Sequence, residues 1–213
     1  MKKIDLPISQ AYSMSLDLKN ILPSQIVQRE GHKEIHFGTM DFAEAGSVLL
    51  IARQNGAQVV YAATSIERQM DQLLLHYFFG PFRSADHRRD FFVQNILQSS
   101  GLTYAFKRDT VAKIINEIDL LEGIAKNHLA SGLKKIMTWR NAFAHGDIQY
   151  DLKSGAMLNF FSGEKQVIVL TDDYWTEVEQ CYTESNKLLT EALEKLIKNS
   201  GTQEQAITKS EGP

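Results

Sequence analysis

Seven consecutive residues, Arg140-Asn141-Ala142-Phe143-Ala144-His145-Gly146, gather the side chains of this sequence best suited to chemistry. His145 stands just before Gly146, a residue type that ends helices. A helix C-terminus carries partial negative charge and favours the imidazolium form. A histidine balanced near neutrality can give or take a proton. Arg140 is permanently charged and presents a planar fork, the geometry that clamps a phosphate or a carboxylate. At about 100° per residue, Arg140 falls among Leu133, Ile136, Met137, Phe143 and Ala144, in the middle of an apolar helix face. An arginine in that setting either pairs with a buried carboxylate, for which Glu67 and Asp71 are candidates, or lines a cleft where two such faces meet. Asn141 lies one turn before His145 and can orient its ring. Arg140, Asn141 and His145 are therefore the catalytic candidates.

The net charge of −3 excludes a basic coat over the whole molecule but not a local basic site. Residues 123–146 hold Lys126, Lys134, Lys135, Arg140 and two histidines with no acid, whereas residues 171–194 hold seven acids and one lysine. That concentration marks an anion site, and a solvated basic face is the plain alternative. Arg140 and His145 are five apart, roughly 140° around an ideal helix. Either the last turn unwinds at Gly146, or the site is built from two copies of the helix. The histidines at 32, 36, 76, 87, 128 and 145 have no zinc-like spacing, so neither a metal nor a cofactor is expected. Phosphate-binding and dinucleotide-binding glycine loops are missing, as is a nucleophile elbow. Cys181 sits in an acidic stretch that does not activate a thiol, and reads as a small buried filler.

These side chains need a scaffold. The chain has 213 residues, 43% hydrophobic and 23% charged, ordinary for one globular domain with an appendage. A lone cysteine excludes an internal disulfide and favours a reducing, cytoplasmic setting. No run suits a signal peptide or a membrane span. Prolines occur only at 7, 23, 81 and 213, which leaves two long intervals open to helix. Residues 1–40 have no sustained period and read as an extended arm or short helices. Residues 41–79 read as one helix, with Leu49, Ala52, Gly56, Val59, Ala63, Ile66, Met70, Leu73 and Tyr77 along one face as core. Further helices are expected near 90–106 and 109–122, the latter capped by Asp109 or Thr110, and from about 123 or 131 to 145. Short β-branched and aromatic runs at 148–152, 156–161 and 166–170 predict a small antiparallel meander. A last helix follows Thr171-Asp172, with Trp175, Val178, Tyr182, Leu189, Ala192 and Leu196 inward, and residues 200–213 read as a disordered tail. The fold class is mainly α: an antiparallel helical bundle over 41–199 with a meander at about 148–170.

The 140–146 segment resembles the Arg-X4–6-His signature of the HEPN superfamily, in its form Arg-Asn-x-x-Ala-His. The stretch Ile66 to Leu74, Ile-Glu-Arg-x-x-Asp-x-Leu-Leu, is similar to that family's opening helix, and Lys107 to Ile114 to the helix before the motif helix. Arg29 and His36 match the bare spacing too, but in a glycine-broken segment without helical period. The resemblance covers about 41–198 loosely, and only the seven-residue motif is sharp.

The resemblance implies a helical bundle that dimerises with its motif helices face to face. It also implies metal-independent endoribonuclease chemistry: His145 on the 2′-hydroxyl or the leaving 5′-oxygen, Arg140 on the phosphate, and Lys126, Lys134 and Lys135 on the RNA. A toxin, phage-defence or stress role would follow, with an antitoxin or defence protein as partner. Family toxins often carry Tyr two residues after the histidine; here that position is Asp147, which departs from the pattern. The alternative is a non-catalytic binding or regulatory protein, like the mannitol operon repressor relatives of the family, with Arg140 pairing a carboxylate and His145 capping the helix. A plain helical scaffold is the third reading.

Overall fold

A computed structural model describes residues 14–15, 26–29, 32–35, 42–80 and 86–210. Among them run strands β1 (Met14–Ser15), β2 (Ile26–Arg29) and β3 (His32–Ile35), then helix α1 (Phe42–Phe79). Helix α2 (His87–Phe92) continues into a π-helical turn (Val93–Leu97), followed by α3 (Tyr104–Glu117) and α4 (Ile124–His145). Strands β4 (Asp147–Asp151), β5 (Gly155–Ser162) and β6 (Glu164–Val169) precede the last helix, α5 (Asp172–Ser210). The chain is mainly helical with a small sheet, as expected. It divides into two compact units, Met1–Gly56 with His145–Thr171, and Ala57–Ala144 with Asp172–Pro213.

The first unit holds the sheet. β4, β5 and β6 form the antiparallel meander, in register Ile148↔Leu158 and Leu158↔Ile168. β1 adds a short parallel edge to β4 at Met14↔Tyr150, and β2 pairs with β3 as a separate hairpin. The Asp151 carboxylate accepts from the Lys153 and Ser154 amides at 2.9 and 2.8 Å, closing the first meander turn. Gly155 (φ +74°) and Gly163 (φ +77°) occupy the left-handed positions of the two turns, where a side chain would be strained. Most of the 1–40 segment lies outside the described residues, as does His36 of the rejected Arg-His match.

The second unit is helical. The predicted α1 stripe is its backbone: Val59, Ala63, Ile66, Met70 and Leu73 are buried, with Tyr77 packed at the edge. Val111, Ile114 and Ile115 of α3, Leu129, Leu133 and Ile136 of α4, and Val178, Leu189, Ala192 and Leu196 of α5 complete one core. α4 and α5 approach closely at Gly132, where a Cβ would run into the Ser185 hydroxyl. The Cys181 thiol, expected to be buried, is half-buried at the same crossing, 3.7 Å from the Gly132 carbonyl. Burial pushes that thiol's pKa up, which suits a filler rather than a nucleophile.

Three helices have bounds that differ from expectation. The predicted 90–106 and 109–122 helices are placed instead at 87–97 and 104–117. The Thr103 hydroxyl, rather than Asp109 or Thr110, caps α3 by accepting from the Phe106 amide at 3.3 Å. Ile118 is partly exposed beyond the helix end, and Leu120 and Leu121 reach the core from the connection. α5 also runs on through Ser210, past the point near 199 where its composition suggested a stop; residues 211–213 lie outside the described set.

Candidate functional site

α4 forms because its apolar residues recur at helical spacing and nothing interrupts them: Leu129, Leu133, Ile136, Trp139 and Ala142 are buried along it. Aromatic contacts fix its C-terminal half against α5. Trp139 stacks on Tyr182 (6.3 Å between centroids) and meets Tyr174 edge-on, while Phe143 stacks on Trp175 at 5.6 Å. Arg140 is bracketed by these two anchors. The helix ends at His145, before Gly146 releases the chain into β4.

Arg140 is half-buried, and its Nη1 donates to the Asn141 side-chain oxygen at 3.1 Å. Among the described residues no carboxylate is ion-paired with it. The predicted partners Glu67 and Asp71 are engaged elsewhere: each lies 2.9 Å from the ammonium of Lys107 on α3. The Asn141 side-chain oxygen is thus engaged by Arg140. The i,i+4 spacing permits contact but does not choose between neighbours.

His145 is exposed at the helix end. Because α4 stays helical through His145, the proposed unwinding of its last turn does not occur. Arg140 and His145 thus project roughly 140° apart from one helix. Ala144, expected on the apolar face, is exposed. Of the lysines, Lys135 pairs with Glu177 at 2.6 Å and Lys126 with Asp119, so the acids of α5 and the α3–α4 connection answer part of the basic charge. Lys134 is exposed and makes no ion pair among the described residues.

The buried cluster around Lys107 was not anticipated. Lys107 is 4% exposed and sits at the wall of a cleft of about 420 Å³ with Glu67, Asp71 and Arg68. Burial alone would depress its pKa; hydrogen bonds from its ammonium to Glu67 and Asp71 outweigh burial and raise it. Burial raises the pKa of Asp71 despite the same contact. Two of the three ammonium protons go to carboxylates of α1, so the cluster ties α1 to α3. Glu67 and Asp71 at i,i+4 on one face of α1 were the available signal. Another unanticipated group is Tyr104 of α3, nine-tenths buried, whose hydroxyl makes no hydrogen bond.

Among the described residues no three His, Cys, Asp or Glu side chains are grouped to hold a metal ion. None of the described helices is long and apolar enough to cross a membrane. The arrangement offers an anion clamp at Arg140 and an accessible proton carrier at His145. Comparison with known proteins adds no relative: no family model, no curated protein and no solved structure matches the chain.

Proposed function

We propose that this chain is a metal-independent endoribonuclease of HEPN type, acting in a toxin, phage-defence or stress-response role. The observation that carries the reading is the charge of Arg140. It is half-buried, held by a neutral amide and answered by no carboxylate among the described residues, five residues from an exposed His145. A scaffold arginine in that position normally finds a carboxylate.

RNA brings its own nucleophile, so the protein needs only to move protons and stabilise charge. His145 takes the 2′-hydroxyl proton as that oxygen bonds to phosphorus. The bond from phosphorus to the 5′-oxygen breaks, and a protonated histidine returns a proton to the leaving oxygen. Arg140 holds the non-bridging oxygens while charge builds on them. The products are a 2′,3′-cyclic phosphate and a free 5′-hydroxyl.

The test is incubation of purified protein with bulk cellular RNA in EDTA. Wild type should cut and leave cyclic phosphate ends. His145→Ala should retain at most about one per cent of the rate, because losing a positioned acid–base group costs roughly 10²–10⁴-fold. Arg140→Ala should be comparably impaired, and Arg140→Lys should recover only part. Cutting that requires added magnesium, or His145→Ala cutting at the wild-type rate, refutes the mechanism. A wild type that cuts no RNA transfers the weight to the non-catalytic binding reading.

A further inference from the structure

The solvent face of the meander carries an exposed aromatic ring at the end of the sheet where α4 delivers His145. The register pairs Asp147 of β4 with Asn159 of β5. His145 stands two residues before Asp147, and Phe161 two residues after Asn159. The strands are antiparallel, so both steps lead away from the same end of that pair, each by no more than about 7 Å. His145 and Phe161 belong to the same compact unit. Directly paired residues show their side chains on one face, so Phe161, Lys165 and Val167 share a face with Asp147 and Asn159. Ala156 and Leu158, on the opposite face, are buried.

Phe161 is 78% exposed, more than any other large hydrophobic side chain among the described residues. Its directly opposed neighbour Lys165 is exposed and makes no ion pair among the described residues. Val167 continues the apolar strip, half of its surface open to solvent. A strip of this size falls far short of the roughly 20–30 residues a side that a stable protein interface uses. One ring is instead the footprint of one nucleobase, and an aromatic ring on a sheet with a cation beside it suits an unpaired base and its phosphate. We propose that Phe161 stacks a base of the bound RNA and that Lys165 holds a phosphate next to it. A strand whose scissile phosphate is at His145 then has a neighbouring base on the Phe161 ring. The identity of the ligand rests on the ribonuclease reading; Phe161 and Lys165 become substrate-binding residues supplied by the sheet rather than by the motif helix.

A single-stranded 2′-deoxy oligonucleotide lacks the attacking hydroxyl and so reports binding without cleavage. It and an abasic strand of the same length and charge are titrated against the full chain in EDTA at low salt, followed by fluorescence anisotropy. Wild type should bind the base-bearing strand roughly 5- to 100-fold more tightly, the worth of one stacked base. Phe161→Ala should bind the two strands about equally, with the wild-type salt slope. Phe161→Leu keeps an apolar side chain without a ring and should behave like Phe161→Ala, whereas Phe161→Tyr should bind like wild type. Lys165→Ala should weaken both strands and reduce the log–log salt slope by about 0.7, the loss of one phosphate contact to a single strand. Both side chains are exposed, so the melting temperatures should stay at the wild-type value. A Phe161→Ala protein that still prefers the base-bearing strand overturns the platform, as does a wild type that binds neither strand. A Phe161→Ala change that splits a dimer in sedimentation while leaving oligonucleotide binding intact assigns the face to a second copy and overturns it too. Cleavage of the matching RNA is followed in parallel, where Phe161→Ala should raise KM with little change in kcat. If wild type cuts RNA while Phe161→Ala binds and cuts normally, the platform fails and the ribonuclease stands. If Phe161→Ala loses the preference for bases while no variant cuts RNA, the ribonuclease fails and the platform stands.

Discussion

Arg140 carries its permanent charge in a half-buried position, and the group that receives it is the neutral Asn141 amide. An amide orients a guanidinium without neutralising it, which leaves the charge available to a phosphate. Asn141→Ala should therefore lower RNA cleavage by roughly 2- to 10-fold, the worth of one hydrogen bond. Asn141 is exposed, so the melting temperature should not move. Asn141→Asp supplies the missing counter-charge and should impair cleavage more than Asn141→Ala does; equal or higher activity of the Asp variant would contradict this account of Arg140. Lys107 shows the opposite arrangement, a cation compensated twice. Lys107→Met strands Glu67 and Asp71 side by side in a part-buried cleft and should cost about 3 kcal/mol in urea denaturation. The raised pKa of Lys107 means that its contribution is whole below about pH 10.5 and is lost as pH climbs through the folded value. Burial also raises the phenols of Tyr104, Tyr174 and Tyr182, which lets the unfolded chain ionise first above about pH 10. Wild-type stability should therefore fall on crossing that range, and the Lys107→Met variant should instead gain stability toward about pH 4, where the stranded Asp71 carboxylate, already raised by burial, takes up a proton.

The elements differ in how openly the residues announce them. α1 is legible because its apolar residues keep a 3-4 spacing over its whole length, and the same residues prove to be the core face. The division between α2 and α3 is not. The π-helical turn at Val93–Leu97 shifts the helical phase, and Ser99, Gly101 and Thr103 break the chain without a proline to mark the spot. The motif itself was readable as residue types on α4. Its contacts were not, because Asn141 can reach either a sequence neighbour or a residue one turn away, and because the Glu67–Asp71–Lys107 cluster is assembled across helices 36 and 40 residues apart. Nor does spacing reveal the crossing at Gly132, where α4 and α5 approach too closely for a side chain. Gly132→Ala gains up to about 1 kcal/mol in helix propensity. The contact with the buried Ser185 hydroxyl should outweigh that gain, for a net loss of about 1–2 kcal/mol by overpacking. Adding Ser185→Ala removes the obstructing oxygen, so the double variant should be more stable than Gly132→Ala alone. Additive losses in thermal melts would mean that the crossing is looser than described.

For the molecule as a whole, the continuity of α4 bears on the number of chains that the proposed ribonuclease requires. The helix is regular through His145, so one copy directs Arg140 and His145 roughly 140° apart and does not aim both at one phosphorus atom. The proposed ribonuclease therefore needs a two-fold axis beside the motif helix, which would set the arginine of one copy against the histidine of the other and complete each site from halves. Complementation tests this directly. Arg140→Ala and His145→Ala proteins, each nearly inactive alone, are co-refolded in equal amounts. Random pairing makes about half of the dimers mixed, and each mixed dimer keeps one site of two intact, so about a quarter of wild-type cleavage should return. Recovery should require mixing before folding or slow exchange of subunits afterwards, and should disappear on dilution below the dimer dissociation constant. A mixture no more active than its components places the arginine and histidine in one chain, and then the separation of the two side chains along an unbroken helix excludes the shared-phosphate mechanism itself.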